Sequence, residues 1–467
     1  MLEEKLEGLE EKHYIAIILT VFFAAELIVI YKIWNRPPIW DSAVYIGMGK
    51  ALFSAGEAGL WENFRPPLMP VLLGFVDLVT DNISSVSRLL SLTISTLGAG
   101  LIYVLSKRSF DRETAFYTAS LVLGTGIFFL YTNHVLTGIL ASVLVFTSLC
   151  LAREERYFLS GLVVALAFLT RFPAALVGAA VFIYIVFKSY QEKKWKEGLE
   201  DTVFLILGFA LIAGPYFLLN QLFYGDFLFP ITRGLAVPQA VASTDFMYGL
   251  YFYLGSLASN PFLALFPLGI YFTIKKKESK YAPFLIALLL FYGFFTAFSH
   301  KEVRFALLFL PLMSLLTARV LKEIREREIV SKRMLQFGFS FVVVFLILSA
   351  TMVNLQTRAY DNPGQDAFYS EASELEGTVA ANDPLVMVYG DFRYAELPPG
   401  RLEEYYERNI NETDYVAINS CNWYCPREMS EEECEEERND LRNWIETDLQ
   451  EHFNLSQDDC QYLIYKR

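Results

Sequence analysis

Apolar residues in this chain come in long blocks. Runs such as Ile15–Ile30, Leu121–Tyr131, Leu140–Leu151, Val203–Leu219, Phe284–Phe298 and Phe337–Met352 recur from Tyr14 to Val353. Several approach the ~20 residues a helix needs to cross ~30 Å of hydrocarbon. A helix of a water-soluble protein keeps one polar face along its length, and these blocks keep none. The pattern predicts an all-α polytopic membrane protein of about eleven transmembrane helices.

After Val353 the pattern changes to short apolar stretches among charges. Pro384–Tyr389, Tyr415–Ile418 and Tyr462–Tyr465 have the composition of strands, and Arg401–Asn409 and Glu431–Asp448 that of charged helices. The expected organisation is a membrane domain over 1–353 and a small extracytoplasmic α/β domain over 354–467. Charge marks the same division. The tail carries −17 and the remainder +4 of the formal net charge of −13. So acidic a tail argues against nucleic acid, whose phosphates are bound by Lys and Arg.

Basic clusters fall at alternate junctions between the apolar runs, as expected where Lys and Arg stay on the cytoplasmic side. They are Lys5 and Lys12; Lys107, Arg108 and Arg112; Arg153 and Arg156; Lys188 to Lys196; Lys275 to Lys277; and Lys322 to Arg333. This register predicts a multi-pass protein of the cell membrane with the N-terminus cytoplasmic and the tail extracytoplasmic. It makes 35–85 a long aromatic outer loop, and the first helix reads as a retained anchor. An external tail accounts for its cysteines. Cys421, Cys425, Cys434 and Cys460 fit two disulfides, with metal ligation as the alternative. Asn411-Glu-Thr and Asn454-Leu-Ser are glycosylation sequons.

Four polar motifs then fall on the outer face. Asp41, between Trp40 and Tyr45, is either a general base or metal ligand, or a helix N-cap. Arg65, before Pro66 and Pro67, is either held rigidly by the prolines or an interfacial anchor. Arg171, in Thr-Arg-Phe-Pro, lies between two apolar runs with no room for a polar loop, where an ionisable group is by default a functional candidate. The string His300-Lys301-Glu302-Val303-Arg304-Phe305 is either a salt-bridged turn or part of a site. Fixed cations with one carboxylate suit an anionic ligand such as a lipid phosphate.

On these strings the chain resembles the GT-C glycosyltransferase superfamily. Asp41 and Arg65-Pro-Pro-Leu-Met-Pro70 are similar to the protein mannosyltransferase and aminoarabinose transferase branch. His300-Lys-Glu-x-Arg-Phe305 resembles the motif of lipid-linked-oligosaccharide mannosyltransferases. The resemblance implies a polyprenyl- or dolichyl-phosphate sugar donor, with mannose or another hexose as the sugar. It implies a protein, lipid or glycan acceptor, Asp41 as the catalytic residue, and Arg65, Arg171, Lys301 and Arg304 on the donor phosphate. His134, His300 and Glu302 are supporting residues. One departure is Gly138, which stands where related chains often carry an acidic residue near Asn133 and His134, so the need for a divalent metal is open. The competing readings are a lipid-phosphate transporter or flippase, and a non-catalytic assembly or sensor protein that works through its tail.

Overall fold

A computed structural model describes residues 11–80, 82–241, 246–328, 331–357, 363–397, 412–423, 430–457 and 460–467. Lys5, the expected helix Arg401–Asn409, Cys425 and Asn411 lie outside the described residues. Two compact units emerge. The first comprises Met1–Trp34, Phe64–Leu68 and Arg88–Arg358; the second comprises Asn35–Asn63, Met69–Ser87 and Ala359–Arg467.

The first unit is helical. Among the described residues, six helices are long and apolar enough to cross a membrane: Glu11–Lys32, Ile83–Ser109, Phe172–Glu192, Trp195–Tyr224, Ser279–Ala297 and Lys332–Gln356. A seventh span arises if Arg112–Leu123 and Gly126–Thr132, bent by 63°, are taken together. Gly138–Arg153, Tyr157–Thr170 and Pro261–Lys275 are apolar but shorter. The helical membrane architecture therefore stands, while the length criterion gives six or seven spans where the apolar blocks gave eleven. Several blocks form helices too short for that criterion. The bend at Gly124–Thr125 shows how a break in a helix is satisfied. The buried Asn260 side chain donates to Leu121 O at 3.1 Å and to Thr125 Oγ1 at 3.3 Å, serving in Leu121 O a carbonyl that a straight helix would pair itself. Tyr157–Thr170 and Trp195–Tyr224 pack backbone to backbone: a Cβ on Gly161 would meet Leu205 O at 2.1 Å, the close approach that small residues permit.

The basic clusters are joined by ion pairs. Lys322 meets Asp111 at 2.7 Å, Arg325 meets Glu113 at 2.6 Å, Lys276 meets Glu323 at 2.5 Å and Lys332 meets Glu11 at 2.5 Å. Arg108–Glu154 at 2.9 Å and Lys188–Glu155 at 2.6 Å extend the network. Clusters far apart in sequence thus share one end of this unit, as alternate junctions should.

The second unit draws in much of the expected outer loop. That stretch is no open loop: it forms the helices Trp40–Phe53 and Leu68–Asp77. The tail adds a five-stranded sheet of order β2-β1-β3-β5-β4, with β1 Thr378–Ala381, β2 Arg393–Glu396, β3 Tyr415–Asn419, β4 Gln450–Gln457 and β5 Cys460–Lys466. β1 runs parallel to β2 and β3, and the β3–β5 and β4–β5 pairs are antiparallel. The helix Glu431–Asp448 forms where its charge pattern placed it. Ser430 and Glu433 make a reciprocal capping box, and Cys434, Leu441 and Ile445 bury its apolar stripe beside Val416, Ile418 and Leu463.

Pro384–Tyr389 is a correction. It is not a strand but ends in the short helix Val386–Tyr389. Asp383 Oδ1 accepts from Leu385 N at 3.0 Å, so an Asx turn followed by Pro starts a helical turn that composition alone reads as extended. Cys421 pairs with Cys460, linking the end of β3 to the start of β5. Cys434 is also disulfide-bonded. The free thiol among the described residues is buried Cys150.

Candidate active site

The first unit gathers most of the expected polar residues at two breaks between helices. Arg171 is the C-cap of Tyr157–Thr170 and has extended backbone. The following 3₁₀ turn, Phe172–Ala175, holds Pro173 in its first positions, where a proline is tolerated as it is not inside a helix, so the preceding helix ends ahead of it. The guanidinium emerges there, 3.4 Å from Thr137 Oγ1 and 4.7 Å from the Phe305 ring centroid. Phe305 belongs to the second break, the 3₁₀ turn Val303–Leu308.

That turn carries the ionic string. Glu302 accepts from His300 Nε2 at 2.5 Å and from Arg304 Nη2 at 2.8 Å, and it also pairs with Arg304 Nε. Burial pushes the Glu302 carboxyl up, but His300, Arg304 and the charge of Arg171 together pull it below the ordinary carboxylate value. The salt-bridged turn therefore exists, and Arg171 belongs to its electrostatics. Two guanidiniums thus converge on one carboxylate, and a guanidinium is the cation that holds an oxyanion in a two-pronged fashion.

Lys301 turns another way. Its ammonium donates to Thr296 O at 3.0 Å and to Phe298 O, and its stem lies where a Cβ on Gly249 would be. Burial depresses its pKa. Arg65 lies 5.8 Å from the Phe64 ring centroid. Phe64 O and the Phe172 ring both border Gly234, so the Arg-Pro-Pro segment and the turn after Arg171 pack on one helix, Phe229–Val241.

His134 stacks obliquely on Tyr131, with centroids 5.6 Å apart, and its carbonyl accepts from Ser91 Oγ at 3.1 Å. Its neighbour Asn133 reveals a residue that the apolar pattern concealed. Asn133 Nδ2 donates to Glu26 Oε2 at 3.1 Å, and both side chains are buried. Glu26 sits inside the first apolar block; a carboxylate in a run of that kind is the signal that would have found it. Gly138 starts the helix Gly138–Arg153, and a Cβ there would meet Leu307 Cδ1 at 2.9 Å. Close packing leaves little room for a carboxylate at that position. Among the described residues no three His, Cys, Asp or Glu side chains are grouped to hold a metal ion.

Asp41 belongs to the second unit. Ile39 is the N-cap of Trp40–Phe53, so Asp41 is not the cap; it sits in the first turn, where acidic residues complement the exposed amides. It is half-buried, and the next ten residues along the helix lie inside the unit.

These features can be set against known proteins. The model of the Alg9-like mannosyltransferase family matches residues 16–365, well over half of the 467-residue chain. The chain belongs to this family. ArnT from Cupriavidus metallidurans bound to undecaprenyl phosphate is similar at TM-score 0.69 and 12% identity, over 97% of both chains. The archaeal oligosaccharyltransferase AglB from Archaeoglobus fulgidus, in complex with an inhibitory peptide and a dolichol-phosphate, is similar at TM-score 0.58 and 12% identity, over 86% of this chain and 69% of that one. No curated protein matches significantly. At such identities the structural likeness establishes the fold, and the family model establishes a GT-C membrane glycosyltransferase of the Alg9-like mannosyltransferase family.

Proposed function

We propose that this Alg9-like family member transfers mannose or another hexose from a polyprenyl- or dolichyl-phosphate donor to a protein, lipid or lipid-linked glycan hydroxyl on the extracytoplasmic face. The observation that carries the proposal is the Arg171–Glu302–Arg304 group, two guanidiniums acting on one carboxylate in a family of glycosyltransferases. The lipid phosphates named with ArnT and AglB support the choice of donor.

The step is a single inverting displacement. The acceptor oxygen bonds to the anomeric carbon and its proton passes to Asp41, while the bond from that carbon to the phosphate oxygen breaks and its electron pair leaves with the lipid phosphate. Phosphate is already a good leaving group, so the demand on the protein is charge stabilisation rather than protonation. Arg171 and Arg304 meet that demand, and Lys301 adds the third donor of an ammonium whose other two serve Thr296 and Phe298. A fixed donor of this kind is commonly worth roughly 3–4 kcal/mol. Glu302 and His300 hold Arg304, His134 supports the neighbouring break, and Arg65 orients the loop or the donor.

The test uses the full chain in lipid, radiolabelled polyprenyl-phosphate sugars and a membrane extract as the acceptor source. Label reaching a new acceptor with wild type but not with Asp41→Asn supports the proposal. Near-normal turnover by Asp41→Asn removes Asp41 from the role. Tight lipid-phosphate binding without transfer from any donor replaces the enzyme reading with a transporter or flippase.

A further inference from the structure

The tail carries a motif that the transfer reaction leaves unused, Asn454-Leu455-Ser456. It has the Asn-x-Ser spacing of an acceptor for asparagine-linked sugar, with no proline between. So short a string recurs by chance, and the fold decides whether a given copy can carry a glycan.

Asn454 and Ser456 lie within β4, where exposure alternates along the strand. Side chains two residues apart share one face of a strand. Asn454 and Ser456 are both exposed on that face, while Leu455 between them is half-buried on the other. The carboxamide and the hydroxyl of the motif are thus presented together to solvent. The Asn454 amide donates to Glu451 Oε2 at 2.9 Å. Glu451 is exposed as well, so water replaces that bond at little cost. In the other sequon, Asn411-Glu-Thr, the hydroxyl-bearing residue Thr413 is 2% exposed. The fold separates two motifs that the sequence leaves equal.

The surroundings of β4 agree. Among the described residues it is an outer strand, paired with β5 alone, and an unpaired strand edge invites pairing with another chain. A bulky hydrated group in mid-strand blocks that pairing. The partner strand begins at Cys460, opposite Gln457, and Cys460 is joined to Cys421. A disulfide belongs to an oxidising, extracytoplasmic compartment, the side on which secreted chains carry this modification.

We infer that Asn454 is a glycosylation site and that its glycan covers the β4 edge. The donor is an oligosaccharide carried on a lipid phosphate, and this chain is the substrate of a separate membrane transferase. The Asn454 amide nitrogen bonds to the anomeric carbon, while the bond from that carbon to the phosphate oxygen breaks. Its electron pair leaves with the lipid phosphate, and the nitrogen's proton passes to a base of the transferase. Asn454 is modified whether or not this chain performs the transfer proposed above.

The full chain is purified from the membranes of its own source and digested. The peptide holding Asn454 is then fragmented in a mass spectrometer under conditions that keep sugars attached. An oligosaccharide mass on Asn454 is expected. It should be lost in Asn454→Gln and Ser456→Ala and persist in Ser456→Thr, which keeps the hydroxyl. An unmodified Asn454, a sugar on Ser456 instead, or a glycan that survives Ser456→Ala overturns the site. Asn454→Gln should also self-associate at lower protein concentration than wild type in analytical ultracentrifugation. Equal association of the two overturns the covering role. Sugar transfer to external acceptors is assayed alongside, and it should be the same for Asn454→Gln and wild type. Its absence from both removes the transferase reading and leaves the Asn454 assignment standing.

Discussion

The Arg171 guanidinium lies over the Phe305 ring, 4.7 Å from its centroid, joining two breaks in the helical unit that are far apart in sequence. The stack fixes the direction of a cation whose value depends on direction. Lysine keeps the charge but loses both the planar stack and the forked donor geometry. Arg171→Lys should therefore lose most of the transfer activity that Arg171→Ala loses, about 100- to 1,000-fold in kcat if the group stabilises the departing phosphate. Single-turnover rates at saturating donor would decide, with equal rates for Arg171→Lys and wild type as the contrary result.

Glu302 gives a signed dependence on pH. Its carboxyl is held below the ordinary value of 4.5, His300, Arg304 and Arg171 prevailing over burial. A carboxylate with a depressed folded-state pKa contributes stability that is complete above its unfolded value, and that is lost as pH falls through the folded one. Thermal stability of the wild type should hold above about pH 4.5 and decline below it. Glu302→Gln should lower stability at neutral pH and flatten that decline. Parallel melting profiles for the two proteins would contradict this assignment.

The ion pair Lys50–Asp391, at 2.9 Å, has partners of very different value. Lys50 is 4% exposed and also donates to Gly390 O at 3.0 Å and to Val388 O at 3.3 Å, whereas the Asp391 side chain is 84% exposed. Lys50→Ala strands buried carbonyls and should destabilise the second unit by roughly 1–3 kcal/mol. Asp391→Ala removes a solvated partner and should cost about 0–1 kcal/mol. Denaturant unfolding followed by near-ultraviolet dichroism separates the two; similar losses would mean that the charge pair itself dominates.

The Cys421–Cys460 disulfide closes a sequence separation of 39. Chain entropy for a loop of that length predicts a loss of about 4 kcal/mol when it is opened. Cys421→Ser should lower the unfolding midpoint of the tail and leave helical content in the first unit unchanged by far-ultraviolet dichroism. A midpoint indifferent to the substitution would show that packing of β3 against β5 suffices.

The sequence by itself determined the membrane-protein class, the α/β character of the tail, the helix Glu431–Asp448 and the break at Arg171. Each is a local consequence of composition: block length against bilayer thickness, short apolar stretches among charges, and a cation between two apolar runs. The cations near the ionic string were legible for the same reason, since charge between apolar runs has few structural uses. Tertiary structure decided what depended on partners. It placed Phe305 under Arg171 and bent Lys301 toward backbone carbonyls. It matched buried Glu26 to Asn133, where the pattern saw only an apolar run. It also folded Trp40–Phe53 with the acidic tail, across more than three hundred intervening residues. Pairing across such separations depends on shape and on which buried polar groups find each other, and neither is written in the spacing of one segment.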